Sequence, residues 1–153
     1  MPQPYIIVVA SATLVLGAAC GGDTTGPANP NGEAMSARID GEAWSAQSIA
    51  IDSAPPSLLV IRGENATRTL ALVIPLNQGA GRQTVGSTTP IAAVLVIGPQ
   101  SWAASRTQGG AGSVTLTTVV PGHVAGTFEF TMAHEGASPA AREVTSGKFD
   151  VRY

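Results

Sequence analysis

The sequence has one cysteine, few charged residues and few aromatic residues, and the first two shortages each exclude a class of protein. Because Cys20 is the single cysteine, no disulfide can form within the chain, and packing must stabilise the folded part. Charged residues make up 12% of the chain, with a net charge of −2. The 8 basic residues are scattered, so the sequence lacks the footprint of a nucleic-acid-binding protein and a polybasic membrane patch. We expect no nucleic-acid partner.

A long hydrophobic run is missing as well. The apolar segment Tyr5–Leu16 is shorter than the roughly 20 residues that a membrane-spanning helix needs. Three small residues, Gly17, Ala18 and Ala19, separate this segment from Cys20. A short apolar core that ends in small residues is typical of a secretory signal, which is removed from the mature protein.

The residues Leu16–Cys20 resemble the lipobox of bacterial lipoproteins. In that family the cysteine thiol receives a diacylglyceryl group, the peptide is cut before the cysteine, and the new amine is acylated, for example with palmitate. The resemblance implies a signal peptide over residues 1–19 and a membrane anchor on Cys20. It also implies a place in the bacterial cell envelope, at the outer membrane, on the periplasmic or surface face. Two alternatives stay open: an ordinary secretory signal that leaves a free thiol, and a retained helix.

Residues 20–34 are expected to form a tether behind the acylated cysteine. The stretch after Cys20 is rich in Gly, Pro and Asn and has no apolar period, which is typical of a flexible linker. Fully extended, it would reach about 45 Å. The folded domain is therefore assigned to residues 35–153.

Short strand patterns separated by turn residues fill this domain. Asp40-Gly41 predicts a type I′ hairpin turn, because both central residues of that turn need positive φ. No segment has a convincing 3.6-residue apolar period, so we predict an all-β fold: a single-domain antiparallel β-sandwich or partly closed barrel of about 8–10 short strands. The Gly-rich segment 99–112 is predicted to be a long loop, with a possible helical turn near Trp102.

Alternation of apolar and polar residues predicts which side chains face the core. The pattern is clearest in His123–Glu135, where one parity is apolar and the other polar. The residues predicted to point inward are Leu70, Leu72, Ile74, Val114, Leu116, Val120, Val124, Gly126, Phe128, Phe130, Met132, His134, Phe149, Val151 and Tyr153.

Three stretches of the domain resemble a family of uncharacterised bacterial lipoproteins. They are Ser36–Ala46, Gly126–Phe130 and Val144–Val151. The resemblance implies a lipid anchor and a small all-β domain. It implies no activity for any residue.

The two histidines, His123 and His134, are the first candidates for chemistry, since metal sites use such residues with nearby carboxylates. In a regular strand they project from opposite faces and cannot share an ion, although a bulge at Gly126 would change that parity. We predict no metal and no cofactor.

Catalytic patterns are equally weak. The serines Ser87 and Ser138 do not sit in a Gly-x-Ser-x-Gly elbow. The acidic residues Glu42, Asp52, Glu64, Glu129 and Glu143 show no pairing of the kind that glycoside hydrolysis needs. We predict no catalytic residue.

Trp102 is the one weak candidate for ligand binding. An aromatic ring suits the apolar face of a sugar, and Trp102 falls in the segment predicted to be a loop rich in Gly, Ser and Gln. The alternative is a ring that packs beneath that loop.

Together these observations predict a lipid-anchored envelope protein that acts as a non-enzymatic accessory or binding module. Its partners would be the membrane, through Cys20, and an envelope protein or a glycan. Two alternatives are kept: a barrel that carries a small apolar ligand, and a hydrolase with an unrecognised site.

Overall fold

A computed structural model describes residues 32–54, 57–86, 90–134 and 140–153. The predicted signal peptide, Cys20 and nearly all of the tether lie outside these residues. Among the residues that the structure describes, no helix has the length and apolar character needed to cross a membrane.

The described part of the chain forms eleven β-strands, somewhat more than expected. The all-β prediction is confirmed. The strands are β1 (Ala34–Ile39), β2 (Glu42–Ser45), β3 (Ser48–Ala54), β4 (Leu58–Glu64), β5 (Arg68–Pro75), β6 (Gly81–Thr84), β7 (Ala92–Ile97), β8 (Gln100–Ala104), β9 (Ala111–Val120), β10 (His123–His134) and β11 (Arg142–Arg152).

The strands form one open, curled antiparallel sheet, a half-barrel. Of the two predicted architectures, this corresponds to the partly closed barrel. The order along the sheet is β2-β1-β11-β10-β8-β7-β5-β4-β3, and β9 pairs with both β10 and β6. We call β1, β2, β6, β9, β10 and β11 half A, and β3, β4, β5, β7 and β8 half B. Strand β10 joins them, because residues 123–131 pair with β9 whereas Ala133 and His134 pair with β8.

The β1–β2 turn confirms the hairpin prediction. Asp40 and Gly41 have φ angles of 52° and 83°, and Ile39 pairs directly with Glu42. Asp40 also receives hydrogen bonds from Arg142 Nη1 at 2.7 Å and from the Glu143 N–H at 3.0 Å. The turn is therefore tied to β11 as well as closed locally.

A single core lies between the two halves. Most of the residues predicted to point inward are buried. Examples are Leu70, Leu72 and Ile74 of half B, and Phe128 and Met132 of half A. The halves touch directly, since a Cβ atom built on Gly63 of β4 would lie 2.8 Å from Met35 Sδ and 3.0 Å from the Trp44 ring.

Two residues predicted to face the core do not. Val120 is 48% exposed and Tyr153 is 45% exposed. Both lie at the end of half A where the turn Pro121-Gly122 joins β9 to β10, and the Tyr153 N–H bonds to Gly122 O. Strict alternation fails here because the facing half does not cover the last residues of these strands.

The prediction of a long loop over residues 99–112 is also wrong. Gln100–Ala104 forms β8, which pairs with β7 along its length and with the end of β10. These residues are weak strand formers by composition, and pairing on both sides overrides that preference. The predicted helical turn near Trp102 is absent from these residues, which are strand.

Candidate functional site

The three phenylalanines of the chain each lie opposite a glycine on a neighbouring strand of half A. Phe128 pairs with Gly147 and Phe149 with Gly126 across β10 and β11, while Phe130 pairs with Gly112 across β10 and β9. A Cβ atom on Gly147 or Gly112 would overlap the opposing ring, and one on Gly126 would lie 3.0 Å from Phe149 Cζ. The rings therefore use the space that these glycines leave.

This arrangement gives a physical meaning to two of the stretches that carried the family resemblance. Gly126–Phe130 and Val144–Val151 face each other across β10 and β11, with Phe128 and Phe149 only 6.2 Å apart between ring centroids. The motifs are thus a reciprocal packing of rings on glycines within the core.

Half A is also the irregular half. Its strand pairing shifts register at three places: between Ser36 and Arg38, between Ala125 and Gly126, and between Phe128 and Phe130. Such bulges bend a strand and increase its twist, and they often lie beside functional sites. At Ala125 and Gly126 the pairing skips Thr117, so the extra residue lies on β9, and the parity of β10 that a bulge at Gly126 would have changed is kept.

On the outward face of half A these bends coincide with three adjoining grooves, which we call together the outer groove. The apolar groove, about 310 Å³, runs across β2, β1, β11, β10 and β9, and most of its wall is carbon. The central groove, about 440 Å³, includes Arg82, Thr127 and Lys148 in its wall. The acidic groove, about 280 Å³, includes Glu129 and Glu143. Thr127 and Lys148 line both of the first two.

Small side chains explain why the apolar groove exists. Its outward-facing wall includes Ala34, Ser36, Ser45 and Ala125, none of which extends far from the sheet. Bulky residues at these positions would fill the groove. The alternation of small outward residues along β1 and β10 was a visible signal in the sequence, and reasoning directed at catalytic patterns missed it.

Most charged groups on this face are already paired. Arg82 Nη2 lies 2.9 Å from Glu129 Oε1, which also accepts a hydrogen bond from Ser113 Oγ at 3.4 Å. His123 Nε2 lies 2.8 Å from Asp150 Oδ1. The Lys148 side chain, in contrast, has no ion pair or hydrogen bond with the described residues, so its ammonium is open to a ligand in the groove.

The structure brings Glu129 and Glu143 to one groove, a pairing that sequence reasoning did not foresee. Glu129 is held by Arg82 and Ser113, which suits a structural carboxylate. Within the described ranges there is no group of three or more His, Cys, Asp or Glu side chains that could hold a metal ion. His123 and His134 stand at opposite ends of β10, roughly 36 Å apart along an extended strand.

Trp102 lies on β8, and its side chain is enclosed. The residue is 1% exposed, its Nε1–H donates to Ala140 O at 3.0 Å, and the His134 ring meets it edge-on with centroids 5.4 Å apart. The Arg142 guanidinium lies 4.8 Å from the ring centroid. Trp102 also lines a small cavity of about 100 Å³ with Val94, Ser101 and others, and its contact with a ligand stays a prediction.

Cys20 lies outside the described residues, and its acylation also stays a prediction.

Comparison with known proteins identifies one family over most of the chain. The family described as "Domain of unknown function (DUF6252)" matches residues 31–150. The comparison with curated proteins finds no match, and the comparison with solved structures finds none either.

Proposed function

The chain belongs to the DUF6252 family, a domain of unknown function, and we propose that it is a lipid-anchored, non-enzymatic binding module of the bacterial cell envelope. In this proposal Cys20 holds the protein on the membrane, residues 20–34 act as the tether, and the outer groove binds the partner.

The outer groove is the observation that carries this proposal. Three cavities adjoin on one face of the sheet, whereas the described cavity that involves the outward side of β7 and β8 measures about 100 Å³. Concave sites with mostly apolar walls and a few polar groups are the usual places where proteins bind ligands. The bends of half A shape this concave face, which supports a binding role for it.

The carrier alternative has less support. A barrel that holds an apolar ligand needs an internal cavity, but the facing strands of this half-barrel touch at Gly63, Met35 and Trp44. The largest core side chains, such as Leu59, Leu72 and Leu95, are fully buried against one another. A ligand would have to displace this packing.

The hydrolase alternative depends on the acidic groove. Its two carboxylates, Glu129 and Glu143, line one cavity, but Glu129 is engaged by Arg82. We therefore favour the binding module.

A photo-crosslinking experiment in the producing cells tests the groove. A benzoylphenylalanine placed at Thr127, in the outer groove, should give a discrete crosslinked product after illumination. The same residue placed at Arg62, an exposed position on the outward side of half B, is the matched control. Products at Arg62 equal to those at Thr127 would remove the groove from the proposal.

The anchor is tested separately by intact mass measurement of the membrane-extracted protein. The expected mass begins at Cys20 and includes fatty-acyl chains, and a Cys20→Ala variant should move to the soluble fraction. A soluble wild-type protein with a free thiol would contradict the anchor.

A further inference from the structure

The apolar groove has the shape of a channel for an extended chain. It crosses the outward faces of five neighbouring strands, which at the usual strand spacing is a length of about 19 Å. Among the described residues of its wall, Phe149 is the one aromatic residue, and its ring packs over Gly126 in the core. The described part of the wall therefore offers no exposed ring on which a sugar could stack.

Two charged side chains stand in the described wall of the groove. The Asp150 carboxylate already has a hydrogen-bond partner, since His123 Nε2 lies 2.8 Å from its Oδ1. Lys148, also in the wall, has no partner of its own among the described residues. A carbon-walled channel whose described wall includes one unpaired ammonium is complementary to a ligand with one apolar tail and one negative head.

We propose that the apolar groove binds a fatty-acid anion, with the acyl chain lying across the strands and the carboxylate paired with Lys148 Nζ. This inference rests on the proposed function, because it names the ligand class for one part of the outer groove. The acyl chain lies across Ala34, Ser36 and Ala125, whose short side chains leave the channel open.

Binding of dodecanoate, kept below its micelle concentration, tests the proposal by calorimetry on the full chain carrying Cys20→Ala. The parent should bind one dodecanoate per chain. Ala125→Trp fills the channel and should weaken binding by about tenfold or more. If Ala125→Trp does not fold, as judged by its thermal melt, Ala34→Trp at the end of the channel replaces it.

The head group is tested with Lys148→Gln. Loss of one charge-assisted contact should weaken dodecanoate binding about tenfold. Dodecyltrimethylammonium, with the same tail and a positive head, should bind the parent more weakly than dodecanoate, and Lys148→Gln should remove that difference. Arg62→Gln, which changes a paired and exposed cation on the outward side of half B, should leave affinity within about twofold.

Equal dodecanoate affinity in the parent and the channel-filling variant would overturn the proposal, as would an unchanged affinity in Lys148→Gln. The crosslinking result separates two kinds of failure. Crosslinks at Thr127 without dodecanoate binding would leave the binding module standing and reject the fatty acid, whereas loss of both results would reject both proposals.

Discussion

Half A and half B enclose the same core, but they are built by different rules. In half B the pairs β3–β4, β4–β5, β5–β7 and β7–β8 run without a register shift between their described residues. Their inward side chains are mainly aliphatic, such as Leu59, Ile61 and Leu72. In half A three register shifts accompany three phenylalanines that pack on glycines.

This difference teaches how one sheet can combine a rigid scaffold with a shaped surface. Regular pairing of branched aliphatic residues keeps a sheet smooth on its outer side. Rings that occupy the space above glycines, together with bulges, bend the strands. The outer groove lies on the bent half, so we infer that the packing inside half A shapes the surface outside it.

Truncation of the chain after Lys148, within β11, should have the largest effect of the changes considered, because it removes inward side chains and strand pairs of half A. A chain that ends at Lys148 loses Phe149 and Val151, which are 3% and 0% exposed, and it loses strand pairs with both β1 and β10. We expect no cooperative thermal unfolding in a circular dichroism melt. Removal of Tyr153 alone is the control and should leave the melt nearly unchanged. A cooperative melt for the shorter chain would show that half B folds without this strand.

The ring-on-glycine packing is tested by Gly147→Ala. The added methyl group would overlap the Phe128 ring, and we expect a loss of about 3 kcal/mol in the free energy of unfolding. In the double variant Gly147→Ala with Phe128→Leu, the smaller side chain should recover at least about 1 kcal/mol relative to the sum of the single changes. Additive losses in urea denaturation would contradict direct packing.

The next effect concerns the contact that ties half A to Trp102 of half B. Asp40 accepts hydrogen bonds from Arg142 and from the Glu143 N–H, and Arg142 lies over Trp102. Asp40→Ala should cost about 2 kcal/mol. Asp40→Asn keeps an acceptor and tolerates positive φ, so it should cost about half as much. Equal losses for both variants would indicate that the negative charge alone matters.

A single methylene removed from half B should matter less than a methyl added to half A. Ile61 is fully buried on β4, and Ile61→Val leaves a small cavity that should cost about 1 kcal/mol. The measurement is the same urea titration used for Gly147→Ala. A larger loss for Ile61→Val than for Gly147→Ala would contradict the expectation that half A tolerates a small change in side-chain volume less well than half B.

The smallest effect is expected at the rim of the central groove. The side chains of Arg82 and Glu129 are 63% and 60% exposed, so solvent screens their attraction. Arg82→Gln should change the free energy of unfolding by no more than about 0.5 kcal/mol. A loss well above that value would mean that this pair holds β6 against β10 across β9, which would give the groove wall a structural role.

Much of the fold could be predicted from local patterns. The Asp40-Gly41 turn and the inward parity of β10 follow from residues close together in the chain, and both are confirmed. The wrong predictions concern residues whose environment depends on other strands. Residues 100–104 form a strand because β7 and β10 pair with them. Tyr153 is exposed because it lies at the end of half A, beyond the part that the described strands of half B cover.

The candidate site was less predictable than the fold. Small outward residues such as Ala125 were visible as a pattern, but a groove requires short side chains on β1 and β2 at matching positions. That match depends on register between strands far apart in sequence. Glu129 and Glu143 meet at one groove for the same reason.

The sequence by itself determined that this chain forms antiparallel strands, which residues of most strands face inward, and that a single cysteine leaves packing to stabilise the domain. These properties depend on alternation and composition, which are local. Only the tertiary structure decided that Phe149 lies over Gly126, that Trp102 is enclosed and that Lys148 lines a channel with no partner among the described residues. Each of these depends on strand register and bulges, which are set by contacts across the sheet.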